Sequence, residues 1–419
     1  MSESYRRTEL GDGLSVLTES MPGVLSASIG VWVRAGSVTE TPGDMGVSHM
    51  LEHMVFKGTE NRTAHELALV LERLGGSLDA YTTREHTSYQ ARVLDAHVDI
   101  ALDVLADLVL RPTIREADLE LEREVILEEI STVDDTPDDL VFDLHAEALF
   151  GGHPFGYSIL GTRETVTALS SDDLRRVHGR HYRAGNLVVA AAGRVDHDAF
   201  VEQVRIQFGE GRAEDRVPEM AAPALLPVTD THVERPTAQT HVAFGAPTFG
   251  HSDPRRYALI LLSSAFGGGM SSRLFQRVRE ELGLAYAVYS YQSFQRTAGM
   301  AGVYVGTRPE WGERAVDVVR EEMSKLARDG LTAAELEDAK GQVKGQVAIS
   351  LESSSARLHR LAGSALYDEA YRSLEEVVSR VDAVSGAEVA ELAAEYYDPS
   401  RQTVLRLGPA KTSLSRDDQ

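Results

Sequence analysis

His49 and His53 stand four residues apart in the run His49-Met50-Leu51-Glu52-His53. On a helix that spacing puts both imidazoles on one face, one turn apart, within reach of one ion. Glu52 lies beside them. The order H-x-x-E-H inverts the commoner H-E-x-x-H. Hydrolysis at a zinc centre needs protein ligands, an open position for water and a nearby base. The run supplies two ligands and one base candidate, Glu52; a third ligand has to come from elsewhere. The competing reading is an amphipathic helix with two partly buried histidines.

The acidic stretch from Glu116 to Thr132 offers that ligand. Glu122 and Glu129 are seven residues apart, nearly two helical turns, and so share a face. Glu124 and Glu128 project elsewhere. One carboxylate of the pair as ligand, with the other one layer behind, would steady the site. On its own, such a charge run reads more readily as a solvated helix face.

These residues need a scaffold, and the chain is long enough for two. Its 419 residues exceed one ordinary core. Residues 27–37 alternate as a strand should, and 238–247 do so again. A later helix in each half carries Asp118-Leu119 or Glu335-Leu336. Each half then closes on a strand, Tyr182 to Gly193 and Tyr397 to Gly408, in nearly constant register. Repeats of this length mark duplicated domains rather than a solenoid. The polar stretch 210–235, carrying Pro218, Pro223 and Pro227, reads as a connector between residues 1–209 and 236–419. The expected fold is α+β: two homologous domains, each a mixed, mainly antiparallel sheet with helices packed on one face. Locally, Thr63 and Glu66 form a capping box, Leu67, Val70, Leu71 and Leu74 an apolar face, and Gly75-Gly76 a stop.

Composition narrows the function. At 42% hydrophobic and 26% charged residues, the chain is that of an ordinary globular protein. No apolar run is long enough for a membrane span, and the first residues carry no apolar stretch of a secretory signal. Cysteine is absent, which excludes thiolate ligands and is compatible with a reducing cytoplasm, the expected location. A net charge of −23 argues against nucleic acid as a partner. It reads chiefly as a solvated surface, with steering of basic peptides as the lesser alternative.

With these residues assembled, nearly the whole chain resembles the pitrilysin family of inverted-motif zinc peptidases. The likeness is to its half-size branch, which includes mitochondrial processing peptidase and bacterial relatives. The family's third-ligand motif, Glu-Arg-x-Val-Ile-Leu-x-Glu, matches Glu122 to Glu129. The resemblance implies two homologous domains with zinc ligands only in the first. The register of the second half sets Gln346 opposite Glu129. Two further segments match. Residues near Asp79 and Ala80 are implied to form an edge strand to which a peptide can pair through its backbone. The family usually has Asn where this chain has Asp79, so only backbone pairing carries over; an inner strand is the alternative. Arg279 and Tyr286 match an arginine and a tyrosine supplied by the second domain. Without the resemblance they read as a surface residue and a strand residue. Phe266 to Met270 resembles a flexible loop of the family; no Gly-Lys-Ser or Gly-Lys-Thr follows, so it is not a phosphate loop.

The resemblance thus implies one Zn²⁺ per chain, held by His49, His53 and Glu129, with Glu52 as base, Glu122 behind the ligands, Tyr286 on the oxyanion and Arg279 on the peptide. Such a His₂Glu set accepts manganese or cobalt as well. The expected activity is that of a zinc endopeptidase hydrolysing oligopeptides or leader segments inside a dimeric chamber. Because both residue sets stand in one chain, a homodimer is favoured over a heterodimer with a homologous chain. The alternatives are a non-catalytic subunit or a chaperone-like peptide-binding chamber.

Overall fold

A computed structural model describes residues 4–11, 13–209 and 220–410. Residues 210–219, the first part of the expected connector, lie outside the described residues. The strands are β1 (Ser4–Glu9), β2 (Ser15–Ser20), β3 (Ser26–Val33), β4 (Ser77–Thr82), β5 (Thr87–Leu94), β6 (Leu187–Gly193), β7 (Asp230–Glu234), β8 (Thr240–Thr248), β9 (Ala285–Phe294), β10 (Gly299–Thr307) and β11 (Thr403–Gly408). They form a six-stranded sheet, β1-β2-β6-β3-β5-β4, and a five-stranded sheet, β7-β11-β8-β10-β9. Omitting β1, the two orders are the same plan. Even the single parallel pair recurs, β2 with β6 and β7 with β11, in otherwise antiparallel sheets. The mixed, two-sheet α+β architecture is therefore as expected.

Strand β7 falls inside the stretch read as a connector. Its sequence, Asp-Thr-His-Val-Glu, is too short and polar to announce a strand; it is one because β11 offers a parallel partner.

The chain divides into two compact units. One holds the chain up to Ser131, Tyr157–Met220 and Ile349–Ser373; the other holds Thr132–Gly156, Ala221–Ala348 and the chain from Leu374 on. Each unit thus contains a segment from the opposite half of the sequence, and the units depart from the contiguous halves 1–209 and 236–419. The strand pattern explains why. In β3, Ile29, Val31 and Val33 enter a large core with helices Val47–Val55 and Val98–Leu110, while Trp32 enters a small one on the other face. Successive strand residues face opposite ways, so both faces of this sheet are apolar. The second face is covered by helix Ser354–Leu366 through Leu358, Leu361, Ala362 and Ala365. In the other unit Phe244 faces the main helical layer, and Ala243 faces helix Pro137–Phe150 through Leu140 and Val141. Each sheet therefore has its helical layer on one face and a single exchanged helix on the other.

Polar contacts fix the exchanged helix in the first unit. Ser354 Oγ lies 2.9 Å from Ser28 Oγ. Arg34 donates to the Ala365 carbonyl at 2.6 Å. Arg357 and Tyr371 both reach the fully buried Glu19 carboxylate. Among the described residues, no helix is long and apolar enough to cross a membrane.

Candidate metal centre

Helix Val47–Val55 buries Val47, Met50, Leu51, Met54 and Val55, the i, i+3, i+4, i+7, i+8 pattern of a core-facing helix. That burial leaves His49, Glu52 and His53 along the opposite flank. Helix Glu116–Asp134 anchors through Leu119 and Ile126, which turns Glu122 and Glu129 towards the histidines. The capping box Thr63–Glu66 forms as expected and starts helix Ala64–Glu72, which leads into β4.

Among the described residues, His49, His53 and Glu129 are the one group of three that could hold a metal, their ligand atoms all within 4.8 Å of one another. Glu129 Oε2 lies 3.7 Å from His49 Nε2 and 3.8 Å from His53 Nε2. Bonds of about 2.0 Å in a tetrahedron give ligand separations of about 3.3 Å, so these two separations would need only slight contraction around a zinc ion. The histidine rings are largely buried, whereas the Glu129 side chain is 41% exposed, which keeps the centre reachable from solvent.

The remaining ring nitrogens differ. His53 Nδ1 lies 2.8 Å from Glu122 Oε1, and Lys57 Nζ contacts the other oxygen of that carboxylate. With Nδ1–H donating to Glu122, the Nε2 lone pair points to the centre. Among the described residues, His49 Nδ1 is buried without a hydrogen-bond partner. Burial, helped by His53, lowers the His49 pKa to about 3, so His49 stays neutral and able to ligate. For His53 burial also opposes charge, but Glu122, Glu129 and Glu52 outweigh it and raise its pKa.

Glu52 accepts a 2.6 Å hydrogen bond from Thr82 Oγ1 of β4. Burial raises its carboxyl above the ordinary value; Thr82 and His53 pull it down, and Glu129 adds to the rise. A carboxyl held above its ordinary value beside the histidines is a candidate for proton transfer.

Asp79 and Ala80 lie in β4, which ends the sheet order and pairs only with β5 among the described residues. Ala80 faces the core side together with Thr82, whereas Asp79 points to the opposite face and is exposed. The backbone is thus available for pairing while the Asp79 side chain is turned away from the centre. Arg279 and Tyr286 belong to the second unit and are brought together there. Arg279 Nη1 donates to the Tyr286 carbonyl at 2.9 Å, and its guanidinium stacks 4.4 Å from the Tyr286 ring and 4.7 Å from Phe275. Tyr286 lies on β9, the end strand of its sheet, and is 78% exposed. Two residues of the centre escaped the sequence reading, Lys57 and Thr82. The only signals were Lys57 at i+4 from His53 and Thr82 two places from Ala80 on the same strand face.

Sequence comparison identifies the family. Residues 15–163 match the insulinase family, peptidase family M16, and residues 168–343 match the peptidase M16 inactive domain. The chain belongs to peptidase family M16. It is 40% identical over 418 residues to a protein of Streptomyces coelicolor named an uncharacterized zinc protease, covering 97% of this chain and 90% of that one. It is 38% identical over 392 residues to a Bacillus subtilis protein of the same description, covering 94% and 95%. The fold is shared with a solved peptidase M16 inactive domain from Pseudomonas fluorescens at a TM-score of 0.90 and 23% identity, over 97% of this chain and 98% of that one. The donor set on the first unit, two neutral-capable imidazoles and a carboxylate, is one that fits zinc.

Proposed function

We propose that this chain is a zinc-dependent endopeptidase acting on oligopeptides or leader segments. The observation that carries the reading is the convergence of His49, His53 and Glu129 with Glu52 alongside. One zinc ion per chain would be held by those three ligands. When bound, it supplies Lewis acidity, making a water more acidic and the scissile carbonyl more electrophilic.

The chain's own groups do the rest. Glu52 takes the proton of the attacking water and delivers it to the departing amine. Glu122 keeps His53 in the ligating tautomer, and Lys57 holds Glu122. The exposed edge of β4 pairs with the peptide backbone around Ala80, giving affinity with little side-chain selectivity. Tyr286 donates to the oxyanion and Arg279 positions the peptide. In this reading two copies enclose a chamber, and the Arg279–Tyr286 pair of one serves the metal centre of the other. A homodimer in the cytoplasm is the simplest form, because one chain carries both sets.

The test is metal analysis together with a quenched-peptide digest read by mass spectrometry, with and without chelator. Stoichiometric zinc and chelator-sensitive cleavage are expected. Peptide binding that survives chelation, with no cleavage products, would instead point to a chaperone-like chamber. A solution mass decides the assembly: a fully active monomer contradicts the shared site.

A further inference from the structure

Helix Val47–Val55 begins without a capping side chain of its own. Its N-cap is Gly46, at φ 87, which makes no side-chain cap hydrogen bond. A Cβ there would come within 2.5 Å of the Leu160 carbonyl and 3.0 Å of Gly161, so Ser, Thr, Asp and Asn are all shut out of the position. The orphan N–H groups of the first turn still need acceptors.

Glu40, six residues upstream of the cap, supplies two, while the Val47 N–H donates to the Asp44 carbonyl. Its Oε2 accepts from Gly46 N at 2.8 Å and its Oε1 from Ser48 N at 2.9 Å. The residue is 5% exposed and makes no ion pair with a cation among the described residues. Burial pushes its carboxyl up to about 7 in spite of the donors from Ser48 and Gly46. When ionised, it is an interior carboxylate satisfied by one helix terminus. A negative charge at that end also complements the helix dipole. His49 follows immediately in the first turn, and Glu52 and His53 one turn on.

We propose that Glu40 is a positioning residue of the metal centre: by capping helix Val47–Val55 from within the fold, it fixes the orientation in which His49, Glu52 and His53 are presented. The proposal rests on the reading of His49, His53 and Glu129 as zinc ligands. Glu40→Gln is nearly isosteric, but it places an amide donor against one of the two N–H groups. Glu40→Asp keeps the charge and withdraws it by one methylene.

The experiment uses full-length wild-type, Glu40→Gln and Glu40→Asp proteins. It measures the zinc dissociation constant against a competing chelator, the melting temperature of the metal-free form, and kcat and KM on a quenched peptide. Glu40→Gln should weaken zinc about 10- to 100-fold, the range for residues that support ligands. It should lower kcat at nearly unchanged KM, with a metal-free melting temperature close to wild type; Glu40→Asp should recover part of the zinc affinity. Wild-type zinc affinity in folded Glu40→Gln overturns the proposal. So does failure of both variants to fold, which would make Glu40 a structural residue only. A wild-type protein that binds no zinc sinks the metal reading itself instead.

Discussion

The two units repeat one plan and differ in what they place on it. Helix Glu116–Asp134 of the first corresponds to helix Ala333–Ser350 of the second, with Leu119 and Leu336 buried alike. Where the first unit buries Glu122 the second buries Ala339, and where the first presents Glu129 the second presents Gln346. Helix Val47–Val55 carries two histidines on its open flank, whereas helix Arg256–Gly267 carries none. In exchange, the second unit offers the Arg279–Tyr286 stack on its edge strand. A shared backbone thus carries two different sets of side chains.

That contrast can be attacked by importing one unit's residue into the other. Glu129→Gln gives the first unit the second unit's residue. It should abolish stoichiometric zinc binding and reduce peptide cleavage to background, as read by metal analysis and the quenched-peptide assay; retained zinc would remove Glu129 from the ligand set. Glu52→Gln keeps all three ligands and should bind zinc normally while losing roughly 10²- to 10⁴-fold in kcat. Wild-type turnover in a clean preparation would end its role as base. Tyr286→Phe removes one hydroxyl from the second unit. A loss on the order of 10²–10³ in kcat is expected for one oxyanion donor, and an unchanged rate would leave Tyr286 as an exposed strand residue. Glu122→Ala copies Ala339 and should cost about 10- to 100-fold in zinc affinity. The pH dependence has a definite sign. Ligation needs neutral His53, whose pKa is raised, so zinc affinity should decline as pH falls through that raised value. An affinity flat across that range would show that His53 does not ligate.

The sequence made the metal centre legible because its signals are local: i, i+4 histidines and a carboxylate pair on one helix face. The duplication was legible too, since strands and turns recur in register. What stayed hidden depends on distant partners. Strand β7 is a strand only beside β11. Thr82 reaches Glu52 only because β4 runs next to helix Val47–Val55. The outward turn of Asp79 follows from strand phase, which the residue type does not reveal. Helix Ser354–Leu366 is amphipathic in an ordinary way and helix Pro137–Phe150 is apolar on most sides, and nothing in their own residues says which sheet they cover.

The exchange of those two helices bears on how the protein is made. As synthesis proceeds, β1 to β6 emerge long before Leu358, Leu361 and Ala365, so the back of the first sheet, with Trp32 and the Glu19 carboxylate, waits for residues translated well after β6. Closing that face is a contact of very long sequence separation, the kind that slows folding and populates partly exposed intermediates. A split gene encoding residues 1–209 and 236–419 separately would therefore divide neither unit cleanly. Each fragment would carry one helix meant for the other and lack one of its own.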